Sequence, residues 1–250
     1  MKYFVFIYYS KIMTKTDNEI YNFYNHSGVK KLLPAPIKNP TFDQTQITVP
    51  SRIGVIAPSG SGKSTWILNY IARSSGTFGH IILVHKQDET LYDYLRNSIG
   101  SKNITMYKKL TDLPSPDNLG MNDKAVLLIL DDIVVDKKQE ILENYFIRGR
   151  KIGLGITICY LSQSYYDIPK IIRKNMNYII ILKLSGEREL TTILRNYSLG
   201  LEPKELMAIY KDAVKTHFNF LKVSVNSPDN KKFSKNWNYY YKVNNDSDED

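Results

Sequence analysis

A single cysteine, Cys159, stands in the 250 residues, which excludes an internal disulfide and any cysteine-clustered metal site and suits a reducing compartment. It lies in an apolar run and is expected to be buried filler. Long hydrophobic runs are also missing. The opening stretch Met1 to Ile12, MKYFVFIYYSKI, holds only about nine strongly hydrophobic positions before Met13, short of the roughly 20 that a spanning helix needs. Its tyrosines and the want of a small-residue cleavage site argue against a secretory signal, and translation beginning at Met13 is a second option. Acids are in deficit: 25 Asp and Glu face 34 Lys and Arg, for a formal charge of +9. That excess favours a polyanionic partner such as nucleic acid or nucleotide, although a basic but inert surface would read the same way. The deficit reverses at Asp246 to Asp250, which include four acids and are expected to form a disordered end that repels DNA locally.

The remaining composition, 42% apolar and 24% charged, is that of a globular chain long enough for one α/β domain but not for two. Thr14 to Pro50 is polar and broken by Pro34, Pro36, Pro40 and Pro50, so residues 1–50 read as an irregular N-terminal extension. Between 51 and 225, short runs rich in β-branched residues alternate with amphipathic stretches, the pattern of a mostly parallel central sheet covered by helices. Strands are expected at Arg52 to Ala57, His80 to Val84, Ile104 to Tyr107, Val126 to Leu130, Ile156 to Leu161, Tyr178 to Leu182 and His217 to Val223. Helices are expected at Lys63 to Ser74, Glu89 to Ile99, Lys137 to Arg148, Pro169 to Lys174, Arg188 to Tyr197 and Pro203 to Ala213. Residues 226–250 are polar apart from Trp237 to Tyr241 and read as a loose, partly disordered tail.

The most specific motif is Ala57-Pro58-Ser59-Gly60-Ser61-Gly62-Lys63-Ser64-Thr65, a phosphate-binding loop with alanine in place of the first glycine. IGVIA before it and TWILNYIAR after it supply the strand and helix that the motif requires. Gly60 and Gly62 let the backbone turn its N–H groups toward an anion. Lys63 brings a point charge to the β and γ phosphates, Ser64 offers its hydroxyl to Mg²⁺, and Pro58 to Thr65 together form the nucleotide cradle. The expectation is therefore an α/β P-loop NTPase, a three-layer sandwich of the RecA-like type, that binds ATP.

Val126 to Leu130 is an apolar run ending in Asp131-Asp132, as expected of a buried parallel strand that delivers two carboxylates to the ligand edge. Asp131 is the expected magnesium partner, and Asp132 is placed to orient or deprotonate an attacking water. Most ATPases of this type carry glutamate at the second position, so Asp132 reaches about one methylene less far. An acidic pair capping the next helix is the plainer alternative. Gln163, after the run Ile156 to Leu161, would lie beside the γ-phosphate if that strand sits between the P-loop strand and the Asp131 strand. Arg148 and Arg150, in the cluster RGRK, read either as a solvated helix end or as an arginine projecting into a neighbouring subunit's site, with Arg150 preferred; Arg173 is a further candidate.

APSGSGKST, LLILDDI, the RGRK cluster and ITICYLSQSYYDIPKIIRKN together resemble the genome-packaging ATPases of poxviruses, other large nucleocytoplasmic DNA viruses and virophages, within the FtsK-HerA group. The likeness runs from about Arg52 to Val223, with LSQSYYDIPKIIRKN its most specific piece. The resemblance implies an Mg-dependent motor that drives double-stranded DNA into a preformed capsid as a homo-oligomeric ring. It also implies contact with capsid portal or vertex proteins, and a place in the host cytoplasm or the virion without membrane attachment. Two other readings stay open: a nucleotide kinase, and a nucleic-acid or capsid binder that ATP switches without turnover.

Overall fold

The computed structural model describes residues 22–33, 37–119, 124–133, 139–149 and 155–242. The chain divides into two units, Met1–Ala35 and Pro36–Asp250. In the described part of the smaller unit, a 3-10 turn at Phe23–Asn25 leads to a one-turn helix at Ser27–Lys30. Each is capped by the side chain before it: Asn22 accepts from the Tyr24 N–H and His26 from the Gly28 N–H.

The larger unit is built on a nine-stranded sheet. Its strands are β1 (Arg52–Ile56), β2 (Phe78–His85), β3 (Ile104–Tyr107), β4 (Ala125–Asp131), β5 (Ile156–Ser162), β6 (Tyr178–Ile181), β7 (Leu221–Ser224), β8 (Phe233–Lys235) and β9 (Tyr239–Tyr240). They lie in the order β3-β2-β4-β5-β1-β6-β7-β8-β9. The first six run parallel, and β7 to β9 add an antiparallel edge. The near-continuous Val, Ile and Leu of β1, β4 and β5 follow from burial on both faces.

Side chains of each strand alternate between two apolar layers. On one face Val55, Leu83, Ile129 and Leu161 meet α1 (Lys63–Arg73) through Trp66, Ile67 and Tyr70, and α2 (Thr90–Ile99) through Tyr92 and Leu95. On the other, Ile56, Val84, Leu130 and Tyr160 meet α3 (Gln139–Arg148), α4 (Lys170–Lys174), α5 (Glu187–Asn196) and α6 (Pro203–Ala213). The fold is thus the expected α/β sandwich on a mostly parallel sheet. Cys159 is buried in β5.

Three expectations need correction. The strand read at His217 to Val223 begins only at Leu221, because the chain turns at Phe218, whose φ of 65° breaks extended geometry. Residues read as a loose tail from 226 onward supply β8 and β9, while Trp237 stacks on Trp66 at 5.5 Å and meets Phe220 edge-on at 5.1 Å. Residues 37–50, read as part of an irregular extension, belong to the larger unit, with Ile47 buried and Asn39 Nδ2 donating to Ile47 O at 3.0 Å. The acidic end from 246 to 250 lies outside the described residues.

Lys222 binds these two corrected segments together. It is fully buried in β7, and its ammonium donates to the carbonyls of Thr45, at 3.0 Å, and Trp237. Burial pushes its pKa down from 10.5 to about 7. The unfolded chain keeps that proton up to about pH 10.5, so between pH 7 and 10.5 unfolding takes up a proton. Stability contributed at this site is therefore lowest below pH 7 and rises with pH through the window, by at most about 1.4 kcal/mol per pH unit. Denaturation midpoints of the wild type should climb relative to Lys222→Met between pH 7 and 9; parallel profiles would show that the amine stays charged in the fold.

Candidate nucleotide-binding site

The P-loop leaves β1 at the C-terminal edge of the sheet. Ala57 N–H donates to Ser162 O at 3.1 Å, so the loop starts against the end of β5. Gly60 and Gly62 hold φ values of 73° and 102°, which a side chain would strain. At Gly62 the space is closed as well, since a Cβ would lie 2.6 Å from the Phe218 ring. The first turn of α1 is set by the Trp66 N–H donating to Gly62 O at 2.8 Å.

Lys63 Nζ donates to the loop carbonyls of Ala57 at 2.9 Å and Pro58 at 3.3 Å. Burial lowers its pKa, and the charges of Asp132, Asp131 and Glu89 oppose that shift. Ser64 Oγ donates to Glu89 Oε1 at 2.9 Å. Asp131 closes β4 opposite His85 of β2 and Leu161 of β5, and its Oδ2 accepts from the Tyr92 hydroxyl at 2.7 Å. Burial raises the Asp131 pKa, against the pull of the Tyr92 hydrogen bond.

Asp132 follows in left-handed backbone, φ 52°, with its N–H on Leu161 O at 3.0 Å. Its carboxylate accepts from the Gln163 amide. That contact exists because β5 lies between β1 and β4, the arrangement on which the reading of Gln163 depended. The next residues are tied down by Glu189 of α5, which accepts from Ser164 Oγ at 2.8 Å and from the Tyr165 N–H.

These groups wall one cleft of about 360 Å³, lined by Ser59, Gly60, Gly62 to Thr65, Glu89, Asp131, Asp132, Gln163 and Phe218 among others. It brings Lys63 and the loop together with the carboxylates of Glu89, Asp131 and Asp132, the pairing that a magnesium nucleotide needs. Pro58 and Ser61 belong to the same loop and are joined by the Ser61 N–H to Pro58 O at 3.2 Å.

Neither Arg148 nor Arg173 lines this cleft. Arg148 is exposed at the end of α3 and pairs with Asp117 at 3.1 Å. That end of α3 reaches the opposite edge of the sheet, where Arg52, which opens β1, donates to Phe146 O. Arg173 lays its guanidinium over the Tyr165 ring at 4.5 Å. Arg150 lies outside the described residues. Glu89 and Phe218, by contrast, line the cleft, and the buried Tyr92 bonds Asp131, although no motif marks them. The one signal available was an acid just beyond a parallel strand.

The profile of the family described as "Poxvirus A32 protein" matches residues 40–235. The chain belongs to that family. The likeness to viral packaging ATPases of the poxvirus type, read from the motifs, is thereby borne out. An uncharacterized protein, 075L, of Invertebrate iridescent virus 6 is 29% identical over 225 residues, 85% of each chain. The fold of this A32 family member is shared with the genome packaging NTPase B204 of Sulfolobus turreted icosahedral virus 2. In complex with sulfate, that structure superposes with a TM-score of 0.55 at 16% identity, covering 76% of this chain and 97% of B204. With AMPPCP the values are 0.54 and 18%, over 76% of this chain and 98% of B204. The conjugation coupling protein TcpA of pCW3 matches at a TM-score of 0.52 and 13% identity, over 77% of this chain and 61% of that one.

Lys63→Ala should weaken binding of a fluorescent ATP analogue by at least about tenfold, the loss of one charge-assisted contact to phosphate. Wild-type affinity in this variant would refute the assignment of the loop.

Proposed function

We propose that this A32 family member is an Mg-dependent ATPase whose turnover drives double-stranded DNA into a viral capsid. The observation that carries the reading is the meeting of Lys63, Asp131, Asp132 and Gln163 on one sheet edge around one cleft. The ATP-analogue complex of the packaging NTPase B204, on the same fold, supports it.

In this reading the Gly60 to Thr65 backbone and Lys63 hold the β and γ phosphates. Ser64 and Asp131 would supply hard oxygen ligands for Mg²⁺ directly or through water, and a hydroxyl and a carboxylate lining one cleft are the donor types such a cation takes. When bound, the metal neutralises charge on the phosphates. Gln163, held by Asp132, faces the γ-phosphate and with that carboxylate orients the attacking water. The net charge of +9 suits a partner with a phosphate backbone.

Because Arg148 lies across the sheet from its own cleft, an arginine of this region acts only on a neighbour, in a homo-oligomeric ring seated at a capsid portal or vertex protein. Arg150 is the preferred finger, and the place of action is the host cytoplasm or the virion.

Purified chain should hydrolyse ATP with Mg²⁺, and duplex DNA should raise the rate severalfold. Phosphate transfer to a nucleoside monophosphate would instead mark a kinase, and binding without turnover a switch. Arg150→Ala should lose turnover while keeping ATP affinity within about threefold, the behaviour of a group acting only in the transition state. Mixing it with Lys63→Ala subunits, whose arginines are intact, should restore part of the activity. Mixtures as inactive as their components would remove the arginine from the neighbour's site.

A further inference from the structure

Asp131, Asp132 and Glu89 all line the cleft, and the first two are engaged. Asp131 accepts from Tyr92 at 2.7 Å and Asp132 from the Gln163 amide. Glu89 comes from the turn between β2 and α2. Its Oε1 accepts from Ser64 Oγ at 2.9 Å, while its Oε2 is shielded from solvent and has no hydrogen-bond partner among the described residues. A carboxylate oxygen cut off from water without a donor is costly, so it marks a place where the working site supplies one.

Position separates Glu89 from Asp132. The Asp132 backbone is left-handed, and its short side chain is turned to Gln163. Glu89 has one methylene more, the length missing at the second position of the acidic pair. β2 runs parallel to β4 with His85 opposite Asp131, so the chain leaving β2 delivers Glu89 to the edge that holds the paired acids. Ser64 then fixes it beside the phosphate-binding loop.

We propose that Glu89 is the catalytic carboxylate that takes the proton of the attacking water; this rests on the ATPase reading and names its base. The water oxygen bonds to the γ-phosphorus, and the bond from that phosphorus to the β–γ bridging oxygen breaks with its electron pair left on ADP. The water proton passes to Glu89 Oε2 and is released to solvent as phosphate departs. Asp132 and Gln163 hold the water in line. Ser64, whose hydroxyl donates a hydrogen bond to Glu89 Oε1, keeps its lone pairs for the cation.

The test compares the full-length wild type, Glu89→Gln and Asp132→Asn under ATP, Mg²⁺ and duplex DNA. Glutamine keeps the shape of Glu89 and the acceptor for Ser64. Glu89→Gln should slow single-turnover hydrolysis by about 100-fold or more, leave Mg-nucleotide affinity within about threefold, retain unhydrolysed ATP on the protein, and fall further than Asp132→Asn. A smaller loss, a loss of affinity in step with rate, or a larger effect of Asp132→Asn would each overturn the role of Glu89 while leaving the ATPase intact. A wild-type chain that does not hydrolyse ATP, with or without DNA, would overturn the ATPase reading and this role together.

Discussion

The ammonium of Lys63 is partly buried beside three carboxylates, and their attraction opposes the desolvation that lowers its pKa. The other features of the site serve that balance. Asp131, Asp132 and Glu89 follow from two strands, β4 and β2, while Lys63 follows β1, so the charges meet only if β5 is inserted and all strands end at one edge. The two apolar layers hold the register that makes this happen. A slip of one residue in β4 would turn Asp131 to the other face.

The elements with a local signal were legible in the sequence. β3 and α6 fall where their apolar patterns place them, β1, β5 and β6 differ from expectation by one residue at one end, and β4 by one residue at each end. The P-loop was readable because its spacing is fixed by phosphate geometry. Gln163 depended on strand order, which no local pattern encodes; the parallel pairing of β5 with both β1 and β4 supplies it.

What was missed was non-local. Strands β8 and β9 span three and two residues, too few for an alternating period to show. Lys222 lies in an expected strand with no local mark of its burial, and its ammonium is held by the carbonyls of Thr45 and Trp237, far from it in sequence. Glu89 and Tyr92 look like an ordinary helix start, and they reach Ser64 and Asp131 only because β2 packs beside β4. Phe218 was assigned to a strand, and its left-handed backbone instead sets its ring against Gly62.

The segment after Gln163 has the same economy of position. Glu189 grips Ser164 and the Tyr165 N–H, the Tyr165 hydroxyl accepts from Asn196 at 2.9 Å, and Tyr197 donates to Arg173 O at 3.2 Å. Arg173 in turn covers the Tyr165 ring. The end of β5 at the cleft is thus bonded through side chains to α4 and α5, on the face away from α1. A shift of Gln163 as the γ-phosphate leaves would load these contacts directly, since packed and hydrogen-bonded side chains transmit displacement better than a free loop does. In the DNA-driving ATPase proposed for this chain, that is where the movement would emerge. The specificity of LSQSYYDIPKIIRKN as a sequence signature has a physical counterpart here: the stretch holds both Gln163, which bonds Asp132 in the cleft, and the residues that tie the end of β5 to α4 and α5.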